Sequence, residues 1–366
     1  MTASDHRGFR FGLEVEFLLV EAESFRPLWH PDLSFEELDA TFGAIDLRDL
    51  PSVEGLLRAP PHRTITPFVV EGYHVPDPYT PDASLLPKGV EIRTPACGSV
   101  AEAVRYLAEL HRRLQAALLA HGWRAVALSH HPVEERFDGP QGKRRYDVWQ
   151  WAMQAMLTYG PDVNVSLPAE RAGRLATADL WAKVNYYGPA MTLFSLAAPL
   201  CRGGLWRIRG RVGKSLRTYR RSLYGQALEF HPEQPGRLEF KAFEMSNRLD
   251  DFRAYLLLWL AVLLDEGLRG RASDASRVYD LGAIARDGWA VADVRERAAE
   301  LLDRAPRILA AWDFDPQPLA HWGQRLERRW LPADEIIAQY ETTGSLAAVL
   351  RSRAELLEDS VEGPLP

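Results

Sequence analysis

Gly12-Leu13-Glu14-Val15-Glu16-Phe17 lies inside a stretch, Phe9 to Val20, that alternates apolar and polar residues. Phe9, Phe11, Leu13, Val15, Phe17 and Leu19 fall on one side of an extended strand, and Arg10, Gly12, Glu14 and Glu16 on the other. Successive side chains of a strand point to opposite faces, so the two carboxylates stand side by side. In the open such a pair repels; beside a divalent cation it is a ligand pair, because Mg²⁺ takes hard oxygen ligands. Taken alone, the strand reads first as the solvated face of an antiparallel sheet.

Three further stretches share the pattern. Gly89-Val90-Glu91-Ile92-Arg93-Thr94-Pro95 puts Val90 and Ile92 on one face and Glu91 and Arg93 on the other, and Pro95 ends it. In Pro161 to Leu167, Val163, Val165 and Leu167 oppose Asp162, Asn164 and Ser166. In Gly236 to Phe243, Leu238, Phe240 and Ala242 oppose Glu239 and Lys241. A solvated face more typically mixes Thr, Ser, Lys and Gln; these faces carry carboxylates with Arg and Lys. Four such strands in one curved sheet would form a carboxylate-lined funnel with cations at its rim. That arrangement suits two or three Mg²⁺ ions and a triphosphate, with Arg and Lys neutralising charge in phosphoryl transfer.

The rest of the chain supplies the scaffold. Ser99 to Gly122 reads as a helix, with a Ser99/Glu102 capping box and a stripe of Val100, Val104, Leu107, Leu110, Leu114 and Leu118. Trp123 to Leu128 reads as a strand, and Val148 to Leu157, Asp251 to Gly267 and the chain beyond Arg286 as helices. Phe68-Val69-Val70 reads as a strand, and Gly72 to Pro78 as a proline-fixed loop. The expected fold is therefore α+β, a curved, mostly antiparallel sheet with helices on its outer face. No linker divides the 366 residues, so one domain is expected, with a core over 9–265, C-terminal helices over 286–357 and a frayed tail over 358–366.

Bulk composition excludes several classes. A net charge of -6 offers no basic field for nucleic acid. The longest apolar run, Ala254 to Leu264, is too short for a membrane span, and the first residues do not form a signal peptide, so a cytoplasmic protein is expected. Cys97 and Cys201 make neither a disulfide framework nor a zinc cluster, and Cys97 reads as a small buried residue. Arg202 to Arg221 is rich in arginine, with Lys214 and several glycines, and reads either as a phosphate-wrapping segment or as a solvated loop. It lacks the Gly-x-x-x-x-Gly-Lys-Ser/Thr spacing. His131 and His74 read as loop histidines satisfied by backbone, and Glu71 as solvated.

These strands, in this order, resemble glutamate–cysteine ligase family 2, the carboxylate–amine ligases of the glutamine synthetase-like superfamily, which also includes the guanidino kinases. Gly12 to Phe17 resembles the family's Gly-x-Glu-x-Glu-Phe strand, Gly89 to Pro95 its Glu-hydrophobic-Arg/Thr-Thr/Ser-Pro strand, and His131-Pro132 its His-Pro step. Gly160 to Ser166 is similar to a Gly-x-His-hydrophobic-Asn/His strand, and Arg237 to Lys241 to an Arg-hydrophobic-Glu-hydrophobic-Arg strand.

The resemblance implies ATP-dependent amide formation from a small carboxylic acid and an amine through an acyl phosphate, with Mg²⁺, or Mn²⁺ in its place. Glu14, Glu16, Glu91, Asp162 and Glu239 would hold metal. Arg93, Glu239 and Lys241 would act at the reacting groups, and Lys214, Arg217, Arg220 and Asn164 at the nucleotide. The family's metal-ligating His is Asp162 here, and its Arg is Lys241. Aspartate remains a hard oxygen ligand, whereas lysine is a point charge rather than a fork. The departures favour a divergent amidoligase, and keep open a phosphotransferase or a non-catalytic nucleotide-binding protein. A homodimer is the expected closed assembly.

Overall fold

The computed structural model describes residues 8–51, 60–63, 66–75, 84–143, 145–221, 227–231, 233–234 and 236–358, with backbone only for 274–278. Strand β1 (Arg10–Glu21) is its centre. Its odd-numbered apolar residues from Phe11 to Phe17 are buried, while Glu14 and Glu16 stay partly open on the other face. The remaining long strands are β2 (Phe68–Val75), β3 (Ser84–Arg93), β4 (Trp123–Val126) and β5 (Pro161–Ser166). Two ribbons, β6 (Leu200–Cys201) with β7 (Gly204–Leu205) and β8 (Arg207–Ile208) with β9 (Arg211–Val212), precede the hairpin of β10 (Leu228–Phe230) and β11 (Arg237–Phe240). The main sheet is seven-stranded, in the order β10-β11-β5-β1-β3-β2, with β4 on the far end of β1. Each of these strand pairs is antiparallel, and the sheet curls into a half-barrel.

Helices accompany the sheet, some packed on its apolar face and others on one another. They are α1 (Phe35–Gly43), α2 (Val100–Leu119), α3 (Tyr146–Ala155), α4 (Ala169–Ala172), α5 (Thr177–Leu193), α6 (Leu216–Arg221), α7 (Leu249–Leu264), α8 (Asp274–Asp287), α9 (Ala292–Ala310), α10 (Ala320–Arg328), α11 (Pro332–Thr343) and α12 (Leu346–Arg351). Helix α2 starts as its sequence dictates: Ser99 accepts from the Glu102 N–H, Glu102 accepts from the Gly98 N–H at 2.8 Å, and the whole predicted stripe is buried. Helix α7 is buried almost all round, so it packs as core.

The C-terminal helices are fastened to this core by charge as well as apolar packing. Asp251, in the first turn of α7, is fully buried and accepts from His321 and Trp322, each at 2.9 Å, and pairs with Arg325 at 2.7 Å, all on α10. Breaking such a buried pair from one side costs about 3–5 kcal/mol. Among the described residues no helix is long and apolar enough to cross a membrane.

One expected loop is partly strand. Gly72 to Val75 continues β2, paired with Ser84 to Pro87 of β3, because the pairing skips a residue beside Glu71 and carries on. Pro76 to Pro78, and the tail beyond Glu358, lie outside the described residues.

Candidate active site

Strand register puts the polar residues of the four alternating stretches on one face. Glu14 lies opposite Arg93 of β3 and Asp162 of β5; Glu16 lies opposite Glu91; Glu239 lies opposite Asn164. Cross-strand partners in antiparallel pairs sit roughly 4.5–5.5 Å apart at Cβ, so these groups form one continuous patch. Glu71 of β2 joins them. Its carboxylate and those of Glu16 and Glu91 each offer an oxygen within 4.8 Å of the others. Glu71, read from the sequence as solvated, is therefore part of the cluster.

The patch is interleaved with cations, which lie among the carboxylates as well as at the edge. Arg93 bonds Glu91 through Nε and reaches Glu14 at 3.4 Å. Arg237 bonds Glu14 and donates through Nε to Asn164 Oδ1 at 2.8 Å. Lys241 lies 2.7 Å from Asp162 and 2.5 Å from Glu239. Glu239 also meets His231 Nε2 at 2.5 Å. Lys88 holds Glu16 at 2.7 Å and donates to the Thr158 carbonyl at 2.8 Å. The other oxygen of Glu16 accepts the Gly160 N–H at 3.0 Å. Gly160 is dictated by space: a Cβ there would meet Arg217 Nη2 at 1.9 Å.

Crowding shows in the proton affinities. Burial first, and Glu91 second, raise Glu14; the same two causes, with Glu16, raise Glu71 well above the usual glutamate range. Burial and the Asp162 charge push Glu239 up to about 9. Glu91 and Asp162 go the other way: burial alone would raise them, but Arg93 and Lys241 respectively outweigh it. Carboxylates raised by burial and by each other gain from a bound cation. The donor set is hard oxygen throughout, so Mg²⁺ fits this face and a soft metal does not.

Of the expected nucleotide contacts, Asn164 lies on this face, while Arg217, Arg220 and Lys214 have partners beyond it. Arg217 is buried, giving Nη1 to the Phe243 carbonyl at 2.7 Å and Nη2 to that of Lys241 at 3.3 Å, which anchors the backbone just beyond β11. Arg220 is 2.8 Å from His130 Nε2 and donates to the Glu135 carbonyl at 2.8 Å. Burial, and secondarily Arg220, hold His130 well below the usual histidine range, so it accepts from Arg220 as the neutral imidazole. Lys214 pairs with Asp334 of α11 at 2.6 Å, so it joins a helix rather than the carboxylates. Arg221, on the same helical face as Arg217, feels Asp162 and Glu16; burial and Arg217 lower it to about 10.

The model of glutamate–cysteine ligase family 2 matches residues 10–228. The chain belongs to that family. Two curated relatives are a candidate glutamate–cysteine ligase 2-3 of Rubrobacter xylanophilus, 32% identical over 129 residues, and a candidate glutamate–cysteine ligase 2 of Rhodospirillum rubrum, 28% identical over 204 residues. The matches cover 32% and 53% of this chain but only 36% and 43% of those relatives, so the chain matches less than half of their length. Among solved structures, a glutamate–cysteine ligase from Francisella tularensis in complex with AMP superposes with a TM-score of 0.62 at 11% identity, covering 95% of this chain and 88% of that one. A bifunctional glutathione synthetase from Pasteurella multocida gives 0.61 at 13% identity, over 95% of this chain and 52% of that one. The ligase PafA, in complex with the ubiquitin-like protein Pup, gives 0.52 at 10% identity, over 97% and 74%. These likenesses show the shared fold.

Within this family 2 chain, the two departures from the family pattern prove to be partners. Asp162 and Lys241 form one ion pair around Glu239. Sequence reading missed Lys88, Glu71, Arg237, His231 and Arg221. Arg237 shares the parity of Glu239 and Lys241, so its face was readable. Lys88 was not: the β2–β3 register passes from Glu71↔Gly89 to Gly72↔Pro87 and leaves Lys88 as the extra residue, and a bulge re-aims its side chain. His131 behaves as expected, its Nδ1 accepting the Val133 and Glu134 N–H groups. Cys97 is buried and its thiol is pushed up to about 12, chiefly by burial.

Proposed function

We propose that this family 2 chain is an ATP-dependent carboxylate–amine ligase. The observation that carries this reading is the single face on which β-sheet register gathers Glu14, Glu16, Glu71, Glu91, Asp162 and Glu239 among Lys88, Arg93, Arg237 and Lys241. Glu16, Glu71 and Glu91 would hold one Mg²⁺, and Glu14, Asp162 and Glu239 would serve a second. The metal, when bound, supplies the charge that draws the phosphate oxygens of ATP to this face.

The chain's own residues do the rest. Arg93, on the carboxylates, can turn its fork to a substrate carboxylate and hold it in line with the γ-phosphorus. One carboxylate oxygen attacks that phosphorus, its bond to the β-bridging oxygen breaks, and ADP leaves. The amine nitrogen then attacks the acyl carbon, the C–O bond breaks, and phosphate leaves with the proton. Lys241 and Arg237 stand where negative charge passes between the groups. Lys241 is held by Asp162 and Glu239, which keeps its ammonium fixed and charged: burial opposes the charge, and the two carboxylates outweigh burial.

The test is an isotope transfer. With an acid and amine pair that supports turnover, an acid labelled with ¹⁸O in its carboxylate passes one labelled oxygen to the released phosphate. Unlabelled phosphate beside an amide product overturns the acyl-phosphate route. ADP without free phosphate marks the chain as a phosphotransferase instead.

A further inference from the structure

A cavity of about 490 Å³ lies apart from the carboxylate face, among α4, α5, the end of α7 and Trp312, and none of the strand carboxylates lines it. Its lining is charged, and much of that charge cancels internally. Arg174 pairs with Glu170 at 2.8 Å. Arg271 clasps Asp179 through two bonds of 2.6 and 2.8 Å.

Three lining groups are left over. Arg171 lies over Trp312, its Cζ 4.1 Å from the ring centroid, and among the described residues its guanidinium has no carboxylate partner. Lys183 is 5% exposed and donates to the Asp265 carbonyl at 2.6 Å, leaving two N–H donors. Among the described residues the Asp265 carboxylate makes no bond to them; it accepts from Arg304 at 2.7 and 2.8 Å and from the Gly267 N–H at 2.7 Å. Glu266, just past the end of α7, is exposed and among the described residues has no ion pair. A buried ammonium with idle donors is unfavourable unless something accepts from it. Two cations and one carboxylate are the complement of two carboxylates and one ammonium. Leu167, Leu175, Leu180 and Leu263 add apolar wall.

We infer that this cavity is a second ligand site, separate from the carboxylate face, for an acidic amino acid, either free or as the acidic residue of a dipeptide. Lys183 and Arg171 take the two carboxylates, Glu266 takes the ammonium, and the leucines with Trp312 cover the carbon chain. Both ligand forms carry the same charges; the cavity has room for the larger one.

The test is binding without ATP or Mg²⁺, so its outcome does not depend on the ligase reading. L-Glutamate and L-alanyl-L-glutamate are titrated against the full chain, followed by tryptophan fluorescence and by calorimetry. At least one probe binds saturably. Arg171→Ala and Glu266→Gln each weaken it about tenfold or more, Trp312→Phe removes the fluorescence change, and Arg93→Ala leaves affinity unchanged. L-Glutamine, lacking the second carboxylate, binds about tenfold more weakly than L-glutamate if the free amino acid is the ligand. Which probe binds more tightly separates the two forms. No saturable binding of either probe, binding that survives both cavity variants, or binding lost in Arg93→Ala overturns the inference.

Discussion

Replacing Lys88 by methionine separates a structural lysine from one that tunes a metal site. The Lys88 side chain is 5% exposed and its partner Glu16 is 22% exposed. Removing one member of a buried pair costs about 3–5 kcal/mol. Water reaches Glu16, which puts this pair at the low end, and the loss of the Thr158 carbonyl's donor adds about 1 kcal/mol. Methionine keeps much of the volume and no longer has to bury a charge, which offsets part of this. The expected destabilisation is about 3 kcal/mol, read as a lower urea midpoint at unchanged slope. Mg²⁺ affinity moves the other way. Without the ammonium 2.7 Å away, Glu16 binds a cation more readily, and Mg²⁺ should bind about tenfold more tightly by calorimetry. A variant within about 0.5 kcal/mol of wild type would refute the buried pair. A destabilised variant whose Mg²⁺ affinity is unchanged or weaker would refute the role of Glu16 as a ligand.

Three further outcomes follow from the same face. Glu71→Gln should weaken Mg²⁺ binding about tenfold or more while leaving the fold intact, by calorimetry and circular dichroism; unchanged affinity removes Glu71 from the metal set. Asp162→Asn and Lys241→Met should be non-additive in a double-mutant cycle of stability, with a coupling of about 1–2 kcal/mol, and additivity would mean that the two groups lie close without interacting. The third outcome is a loss of stability at alkaline pH that Mg²⁺ removes. His111, His130 and His131 are all lowered, chiefly by burial, His111 and His131 to about 4. A lowered histidine contributes stability above its unfolded value of 6.5 and loses it as pH falls towards the folded value. Glu239, raised from 4.5 to about 9, contributes stability below 4.5 and loses it as pH rises towards 9, and Glu14 and Glu71 act in the same direction. Between about pH 4.5 and 6.5 the two sets oppose each other, whereas above 6.5 the glutamates alone act, so thermal midpoints without Mg²⁺ should fall from pH 6.5 towards pH 9, with Mg²⁺ abolishing the fall. A fall that persists in saturating Mg²⁺ contradicts the assignment of these glutamates.

The parts of the fold legible in the sequence are those where one rule decides. In β1, β3, β5 and β11 one side of the strand is apolar and the other charged, so alternation alone fixes the face of Glu14, Glu91, Asp162 and Glu239. Helix α2 is legible because cap and stripe agree. Strand β2 hides its face because Phe68, Val69 and Val70 are all buried, so Glu71 looks like a stray charge until β3 is laid beside it. Lys88 sits in a register shift that no local pattern announces. Helix α8 has a weak apolar pattern and is held by α5 and α6 instead. Arg217, Arg220 and Lys214 were singled out by type and neighbourhood, but their partners, the carbonyls of Lys241 and Phe243, His130 and Asp334, come from distant parts of the chain. Long-range partners of a cationic side chain are set by tertiary packing and have no local signature.

The most direct test of the central claim is release of ADP and phosphate from Mg·ATP, with amino acids and other small acids and amines supplied singly and in pairs, for the wild type, Glu14→Gln and Glu239→Gln. The ligase reading predicts release that requires a pair of substrates and drops by about a hundredfold or more in both variants, since each removes a carboxylate that would hold the Mg²⁺ on which the phosphates sit. Release that is the same in wild type and both variants would contradict it and return the sheet to an ordinary solvated surface.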